Sequence, residues 1–165
     1  MKQPSEKPEL LYLEDLRVGQ RFISREFRMD AAGIKAFAAE FDPQPFHLDE
    51  AAAGDSFFHG LAASGWHTAA VTMRLIVESV PLAGGLVGLG GVLAWSKPTR
   101  PGDVLHVESE ILELKPSRTK PDRGVATVRI VTLNQSGDQA QVFTAKILAF
   151  SRVSGGAIAK NAKHE

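Results

Sequence analysis

The feature that most limits how this chain can fold is a proline-free stretch from Gly60 to about Ser79 that carries no formal charge before Arg74 and Glu78. Read with helical spacing, one face carries only small, apolar or hydroxyl-bearing residues: Leu61, Ser64, Gly65, Thr68, Val71, Thr72, Leu75 and Ile76. A helix so poor in polar residues is buried on most of its sides. We therefore predict a central helix that begins near His59 and Gly60.

The residues after this helix have the pattern of β structure. Strands are predicted over residues 86–97, 104–114, 124–133 and 139–152, and the second alternates most regularly. They are separated by a turn with proline and glycine at 98–103, a polar connection at 115–123 and a glycine-containing turn at 134–138. Read as four successive hairpin-connected strands, they predict an α+β domain whose antiparallel sheet wraps the apolar helix.

The residues before the helix add a strand and two shorter helices. Residues 21–29 alternate imperfectly between apolar and charged side chains, as a strand does. Asp30 is placed to cap an amphipathic helix that leads to Asp42, and Asp49 to cap a short helix that Gly54 ends. We predict a mobile leader over residues 1–9, one domain over 10–152 and a flexible tail over 153–165.

Composition excludes several classes of function. Nineteen basic residues balance 19 acidic ones among 165 residues, so net charge suggests neither nucleic acid nor a membrane surface as partner. The absence of cysteine excludes disulfides, thiolate nucleophiles and cysteine-bound metals. No signal peptide or transmembrane run is visible. We expect a soluble, cytoplasmic protein.

The first candidate for chemistry is the pair Asp42 and His47. Pro43 and Pro45 lie between them and predict a stiff, extended loop. A carboxylate and an imidazole held together can position a water and move its protons. The alternative is that Asp42 caps a turn and His47 is a structural histidine, and the two residue types alone favour that alternative.

Gly60 is the second candidate, because unpaired N–H groups at a helix start can receive a developing negative charge. The alternative is a glycine that merely avoids a clash. Thr68 and Ser64 follow on the same predicted helix and can support a loop or substrate, although Ser64 fits better as a small residue packed on the sheet.

Other chemistries match the residue spacing poorly. His59, His67 and His106 lack the close spacing of metal ligands, so we expect no metal. Ser64 lacks the glycine that a nucleophile elbow requires two positions earlier. The glycines between 84 and 91 lack a phosphate-loop lysine. A basic cluster, most simply a solvated hairpin tip, is a weaker candidate for contacts with carrier phosphates; it consists of Arg118, Lys120 and Arg123.

At residues 41–49 the sequence F-D-P-Q-P-F-H-L-D resembles the signature G-D-x-N-P-[LIV]-H-x-D of MaoC-like dehydratases, the family that includes (R)-specific enoyl-CoA hydratases. The likeness extends from about residue 13 to 152. It implies the hot-dog fold, a long antiparallel sheet around one central helix. It also implies Asp42 and His47 as the catalytic pair, Gly60 as the oxyanion donor and Thr68 as a support of the catalytic loop.

The resemblance further implies reversible addition of water to a trans-2-enoyl thioester, without metal, flavin or nicotinamide. It implies a homodimer or larger homo-oligomer that binds a small acyl thioester. Phe41, Gln44 and Phe46 depart from the signature and are expected to alter the pocket and the hydrogen bonds around the loop, where Gln44 is a candidate supporting residue. We expect the pocket to be lined by aromatic residues, namely Phe41, Phe46, Phe57, Phe58, Trp66 and Trp95. The alternatives are a hot-dog acyl-CoA thioesterase, which the lack of an acidic residue between Gly60 and Arg74 disfavours, and a non-catalytic acyl-thioester-binding domain.

Overall fold

The computed structural model describes residues 9–152, so all but the last residue of the leader predicted over 1–9, and the whole tail predicted over 153–165, lie outside it. Within the described residues, four α-helices and six β-strands follow a 3₁₀ turn at Leu13–Asp15. The helices are α1 Ala31–Phe41, α2 Pro45–Leu48, α3 Glu50–Gly54 and α4 Gly65–Ser79. The strands are β1 Arg21–Ile23, β2 Phe27–Arg28, β3 Val87–Trp95, β4 Val104–Pro116, β5 Arg123–Leu133 and β6 Gln139–Phe150.

The strands form one antiparallel sheet in the order β1-β4-β5-β6-β3, and β2 also pairs with β4. The predicted hairpins β4–β5 and β5–β6 are confirmed. The predicted hairpin between β3 and β4 is wrong, because β3 pairs with β6 and lies at the far edge of the sheet. Residues 96–103 instead carry the chain away from that edge, and they reach the functional site described below.

The single strand predicted over 21–29 is two short strands on β4. Between them the Ser24 N–H donates to the Val107 carbonyl at 2.9 Å, and the Ser24 hydroxyl accepts from the Val107 N–H at 2.8 Å. The Ser24 side chain thus replaces a backbone carbonyl, and the regular ladder is interrupted.

Helix α4 packs on the sheet and is the centre of the core, as predicted. Its buried face consists of Thr68, Val71, Thr72, Leu75 and Ile76. Apolar residues of β4, β5 and β6 pack against this face, including Leu105, Val107, Ile111, Val128, Ile130, Ala145 and Ile147. The predicted α+β class and the sheet packed around one central helix are confirmed. None of the helices within residues 9–152 is long and apolar enough to cross a membrane.

The predicted start of the central helix is wrong by five residues. His59 and Gly60 have φ angles of 52° and 146°, which no right-handed helix contains. Helix α4 begins at Gly65, and Ser64 caps it by accepting the Trp66 N–H.

The extended loop predicted between Asp42 and His47 is also wrong in part. Pro45 opens the short helix α2, with His47 in its last turn. Proline is favoured at the first position of a helix, because that position needs no N–H donor and proline already has a helical φ. Asp30 and Asp49 cap α1 and α3 as predicted.

Candidate active site

Asp42 and His47 come together at the junction of two helices. Asp42 ends α1, and α2 places His47 so that its Nε2 lies 3.4 Å from Asp42 Oδ2. Only 5% of the His47 side chain and 19% of the Asp42 side chain are exposed. The structure therefore brings the two predicted side chains together, and both are largely buried.

A backbone contact sets the orientation of the His47 ring. Its Nδ1 lies 2.7 Å from the carbonyl oxygen of Ala62. A carbonyl can only accept a hydrogen bond, so Nδ1 carries the proton. In the neutral ring Nε2 then holds a lone pair and faces Asp42, where it can accept a proton.

Asp42 is held as a carboxylate by its neighbours. Burial disfavours the charged form, but hydrogen bonds from Ser64 and Gln44, together with the nearby His47, leave the pKa of Asp42 below its usual value. The Gln44 amide donates to Oδ1 at 2.7 Å. Asp42 is therefore ionised at neutral pH and can accept a hydrogen bond.

Beside the pair lies a cavity of about 640 Å³. Trp66 and Trp95 meet edge to face in its wall, with ring centroids 5.3 Å apart. Five of the six aromatic residues predicted to line a pocket do so: Phe46, Phe57, Phe58, Trp66 and Trp95. Phe41 does not, because its ring is 64% exposed and packs against Phe37 of its own helix.

Gly60 does not hold the position on which its predicted role depended. It lies in the loop before α4, and its N–H donates to the Ala53 carbonyl at 2.9 Å. That amide is already paired and is not at a helix start. Gly65 is the first residue of α4 and lines the cavity. The signal for this start is Ser64, a favoured capping residue directly before Gly65.

Ser64 and Thr68 are both buried. A hydrogen-bonding interaction with Ser64 lowers the pKa of Asp42, so Ser64 supports residues 42–47, which is one of the two roles considered for it above. Thr68 lines the cavity and donates to the Thr99 hydroxyl at 2.9 Å. That bond ties α4 to the segment after β3 instead of to residues 42–47.

Residues 96–99, which follow β3 directly, also line the cavity, and no pattern in the sequence predicted this. Lys97 brings a positive charge to the cavity wall, and its Nζ lies 2.7 Å from Asp138 Oδ1. Neither Lys97 nor Thr99 belongs to a local motif. Only the chain crossing between β3 and β4 brings them here.

The basic cluster predicted as a weak phosphate site does not line this cavity. Arg118 and Lys120 lie in the exposed β4–β5 turn, and Arg123 begins β5. The cavity is close to the start of β4, and the 13 residues of that strand put the turn about 40 Å away along the strand.

The remaining histidines lie apart from the pair. His67 stacks on Phe37 with ring centroids 4.6 Å apart, and burial lowers its pKa, against a smaller opposing effect of Asp30. His106 lies 3.7 Å from Glu108. Among residues 9–152, no three histidine or acidic side chains converge as metal ligands.

Comparison with known proteins identifies a family that matches most of this chain. The family model described as MaoC like domain matches residues 16–134. The 3-hydroxybutyryl-CoA dehydratase of Methylorubrum extorquens is 33% identical over 116 residues, which are 68% of this chain and 73% of that protein.

Two solved structures are similar over nearly the whole described chain. The MaoC-like dehydratase from Rhodospirillum rubrum is 59% identical, with a TM-score of 0.85, and the match covers 86% of this chain and 98% of that one. The R-hydratase PhaJ1 from Pseudomonas aeruginosa is 30% identical, with a TM-score of 0.69 and coverage of 85% and 86%. The hot-dog fold that the sequence implied is confirmed.

Proposed function

This chain belongs to the MaoC-like domain family, and from that membership and its Asp42–His47 pair we propose that it is a hydro-lyase acting on acyl thioesters. The reaction is reversible addition of water to a trans-2-enoyl thioester, which in reverse dehydrates a 3-hydroxyacyl thioester. The observation that carries the proposal is the approach of His47 Nε2 and Asp42 Oδ2 to 3.4 Å beside an aromatic-lined cavity.

The two side chains suit a water that must lose a proton. Because Nδ1 donates its proton to the hydrogen bond with the Ala62 carbonyl, the Nε2 of His47 offers a lone pair. Asp42 offers a carboxylate oxygen. A water between them donates one hydrogen bond to each. As its oxygen bonds to C3 of the substrate, the pair takes up one proton and returns one to C2, so that water is added across the double bond.

The thioester carbonyl gains negative charge during this step and needs a donor. We assign that donor to the N–H of Gly65, which opens α4 at the cavity wall. The first N–H groups of a helix have no partner within it, and the helix dipole favours negative charge there. Such donors lower a barrier by roughly 3 kcal/mol.

We also propose that the chain acts as a homodimer joined along β3. This edge strand pairs only with β6 in the described sheet. Val92 is 75% exposed, and Leu89 of the same strand and Val77 of α4 are also exposed. A second copy would pair the free edge and cover this apolar surface. It would also border the cavity at Trp66 and Trp95.

Light scattering on the purified protein tests the dimer. We expect twice the chain mass for the unmodified protein and a large shift toward monomer for Val92→Glu, because a carboxylate cannot be buried at the joint without a partner. Glu26→Gln is the control, because Glu26 lies between β1 and β2, at the sheet edge opposite to β3. A monomeric mass for the unmodified protein would contradict this proposal.

Incubation with crotonyl-CoA tests the activity. We expect the enoyl absorbance to fall while no free thiol appears, because water adds to carbon and the thioester survives. Release of thiol would instead identify a thioesterase. Binding of the thioester without loss of absorbance or release of thiol would identify a non-catalytic domain. Either outcome contradicts the proposed reaction.

A further inference from the structure

The loop before α4 has a strained backbone at the place where it meets the catalytic pair. His59 has a φ of 52°, a region that residues with a Cβ rarely adopt, and Gly60 has a φ of 146°. Two residues later Ala62 supplies the carbonyl that accepts the Nδ1 proton of His47. The conformation of this loop therefore decides which way the catalytic ring faces.

One side chain from a remote part of the chain holds the loop. Arg100 donates from Nη2 to the Phe58 carbonyl at 2.5 Å and from Nη1 to the Gly60 carbonyl at 2.7 Å. A longer contact of 3.3 Å joins Nη1 to the Leu61 carbonyl. The guanidinium thus binds carbonyls on both sides of the strained His59.

The same segment holds the end of the loop through its backbone. The Ala63 N–H donates to the Thr99 carbonyl at 2.8 Å, and the Ala62 N–H approaches the Phe46 carbonyl at 3.4 Å. The Arg100 N–H is itself fixed by Asp103 at 2.7 Å. The path from Arg100 to His47 therefore consists of hydrogen bonds between neighbouring groups, with the Ala62 carbonyl as the last link.

The charge of Arg100 has no carboxylate partner within ion-pair distance among residues 9–152; its side-chain acceptors in that part of the chain are carbonyl oxygens. A guanidinium presents several N–H groups in one rigid plane, whereas an ammonium is a compact point charge. Only the planar group can bind the Phe58 and Gly60 carbonyls with separate nitrogens.

We propose that Arg100 is a positioning residue of the active site, whose guanidinium fixes the loop so that Ala62 orients His47 toward Asp42. The inference deepens the proposed function, on which its kinetic part rests. Arg100 does not touch the reacting atoms in this assignment. It acts through the Ala62 carbonyl on the tautomer and direction of the imidazole.

The test uses Arg100→Ala and Arg100→Lys in the full chain, with crotonyl-CoA as substrate. We expect kcat to fall by about tenfold to a hundredfold in both, with KM changed less than about threefold, because a misplaced catalytic group lowers the rate more than binding. Added guanidinium ion is expected to restore part of the kcat of Arg100→Ala and none of that of Arg100→Lys. Arg25→Ala, which removes an exposed ion pair with Glu78, is the control.

A second measurement does not depend on activity. The ¹⁵N signals of His47, assigned with a His47→Gln variant, are expected to show protonated Nδ1 in the unmodified protein and a mixture of tautomers in Arg100→Lys. Unchanged His47 signals in folded Arg100→Lys, or unchanged kcat in either folded variant, would overturn the proposal. If the unmodified protein lacks hydratase activity, the proposed reaction is wrong. The ¹⁵N signals then still show whether Arg100 orients His47.

Discussion

Two segments of this chain concentrate charged and polar side chains, and their surroundings differ. At residues 42–47 Gln44 is a local partner of Asp42, but two further partners come from distant parts of the sequence. Ser64 supports Asp42, and Ala62 orients His47. At the β4–β5 turn the strongest contact of Arg123 is with its neighbour Asp122, and Arg118 and Lys120 are exposed. Remote residues orient the side chains of the first segment, whereas the charged side chain of Arg123 in the second pairs with its sequence neighbour.

The difference shows why a cluster of charges does not by itself indicate a site. Charges at an exposed turn are hydrated and pair locally, so their interactions contribute little. Asp42 and His47 are partly removed from water, and each keeps one polar face fixed by hydrogen bonds and another free toward the cavity. Four experiments test whether the two segments differ in function as they do in their surroundings.

We expect the strongest loss of activity from changes to Asp42 and His47, the proposed catalytic pair. Asp42→Asn and His47→Gln should each lower kcat/KM for crotonyl-CoA hydration by about a thousandfold, because each removes a group that holds or moves a proton. Thermal unfolding should show that both variants remain folded. Asp55→Asn, an exposed carboxylate at the end of α3, is the matched control. Full activity in both pair variants would remove the basis of the comparison.

The next effect concerns the start of α4. A Cβ on Gly65 would lie 2.6 Å from Trp95, so Gly65→Ala must displace that ring from the cavity wall. We expect kcat/KM to fall by about tenfold to a hundredfold, because the N–H and the wall both move. Gly54→Ala is the control, since nothing lies within 4 Å of its added Cβ. Equal activity of the two variants would count against Gly65 as the donor.

A smaller effect tests the support of Asp42. The hydrogen bond from Ser64 favours the charged form, so Ser64→Ala should raise the pKa of Asp42. The acidic limb of the profile of kcat/KM against pH should therefore move to higher pH. Because the folded pKa of Asp42 is lowered, its contribution to stability is present at neutral pH and is lost as the pH falls through that pKa.

The control for Ser64→Ala is Asp30→Ala, which removes the cap of α1. Loss of either cap should lower the free energy of unfolding by about 1 kcal/mol, but only the Ser64 variant should shift the acidic limb. A shift of the same size in both would show that the cap, and not the hydrogen bond to Asp42, determines the profile.

The smallest effect is expected at the β4–β5 turn. Arg118→Gln with Lys120→Gln should leave KM for crotonyl-CoA within about twofold, because exposed charges far from the cavity contribute little to binding. Crotonyl-pantetheine, which lacks the nucleotide phosphates, is the control substrate. A rise in KM for the CoA thioester, but not for crotonyl-pantetheine, would show that the turn contacts carrier phosphates. Such a contact requires the turn of a partner subunit to lie beside the cavity.

Much of the fold was predictable because the relevant signals are local. The apolar face of α4, the caps Asp30 and Asp49, and the alternation along β4 depend on residues a few positions apart. The predictions were wrong where contacts with residues distant in sequence determine the backbone conformation. Gly60 has a plausible helix-start sequence, but Ala53 and Arg100 bind its N–H and carbonyl and hold it in a loop.

The order of residues was enough to identify the groups proposed for chemistry. The sequence places one carboxylate and one imidazole five positions apart, on a segment that contains two prolines. It also determined the family and the apolar helix. Contacts in the folded chain were needed to show which nitrogen of His47 is free, what keeps Asp42 ionised, and which glycine opens α4 at the cavity. The reason is physical: Ala62, Ser64 and Arg100 act across contacts between separate elements, and their distances exist only after the sheet has folded around α4.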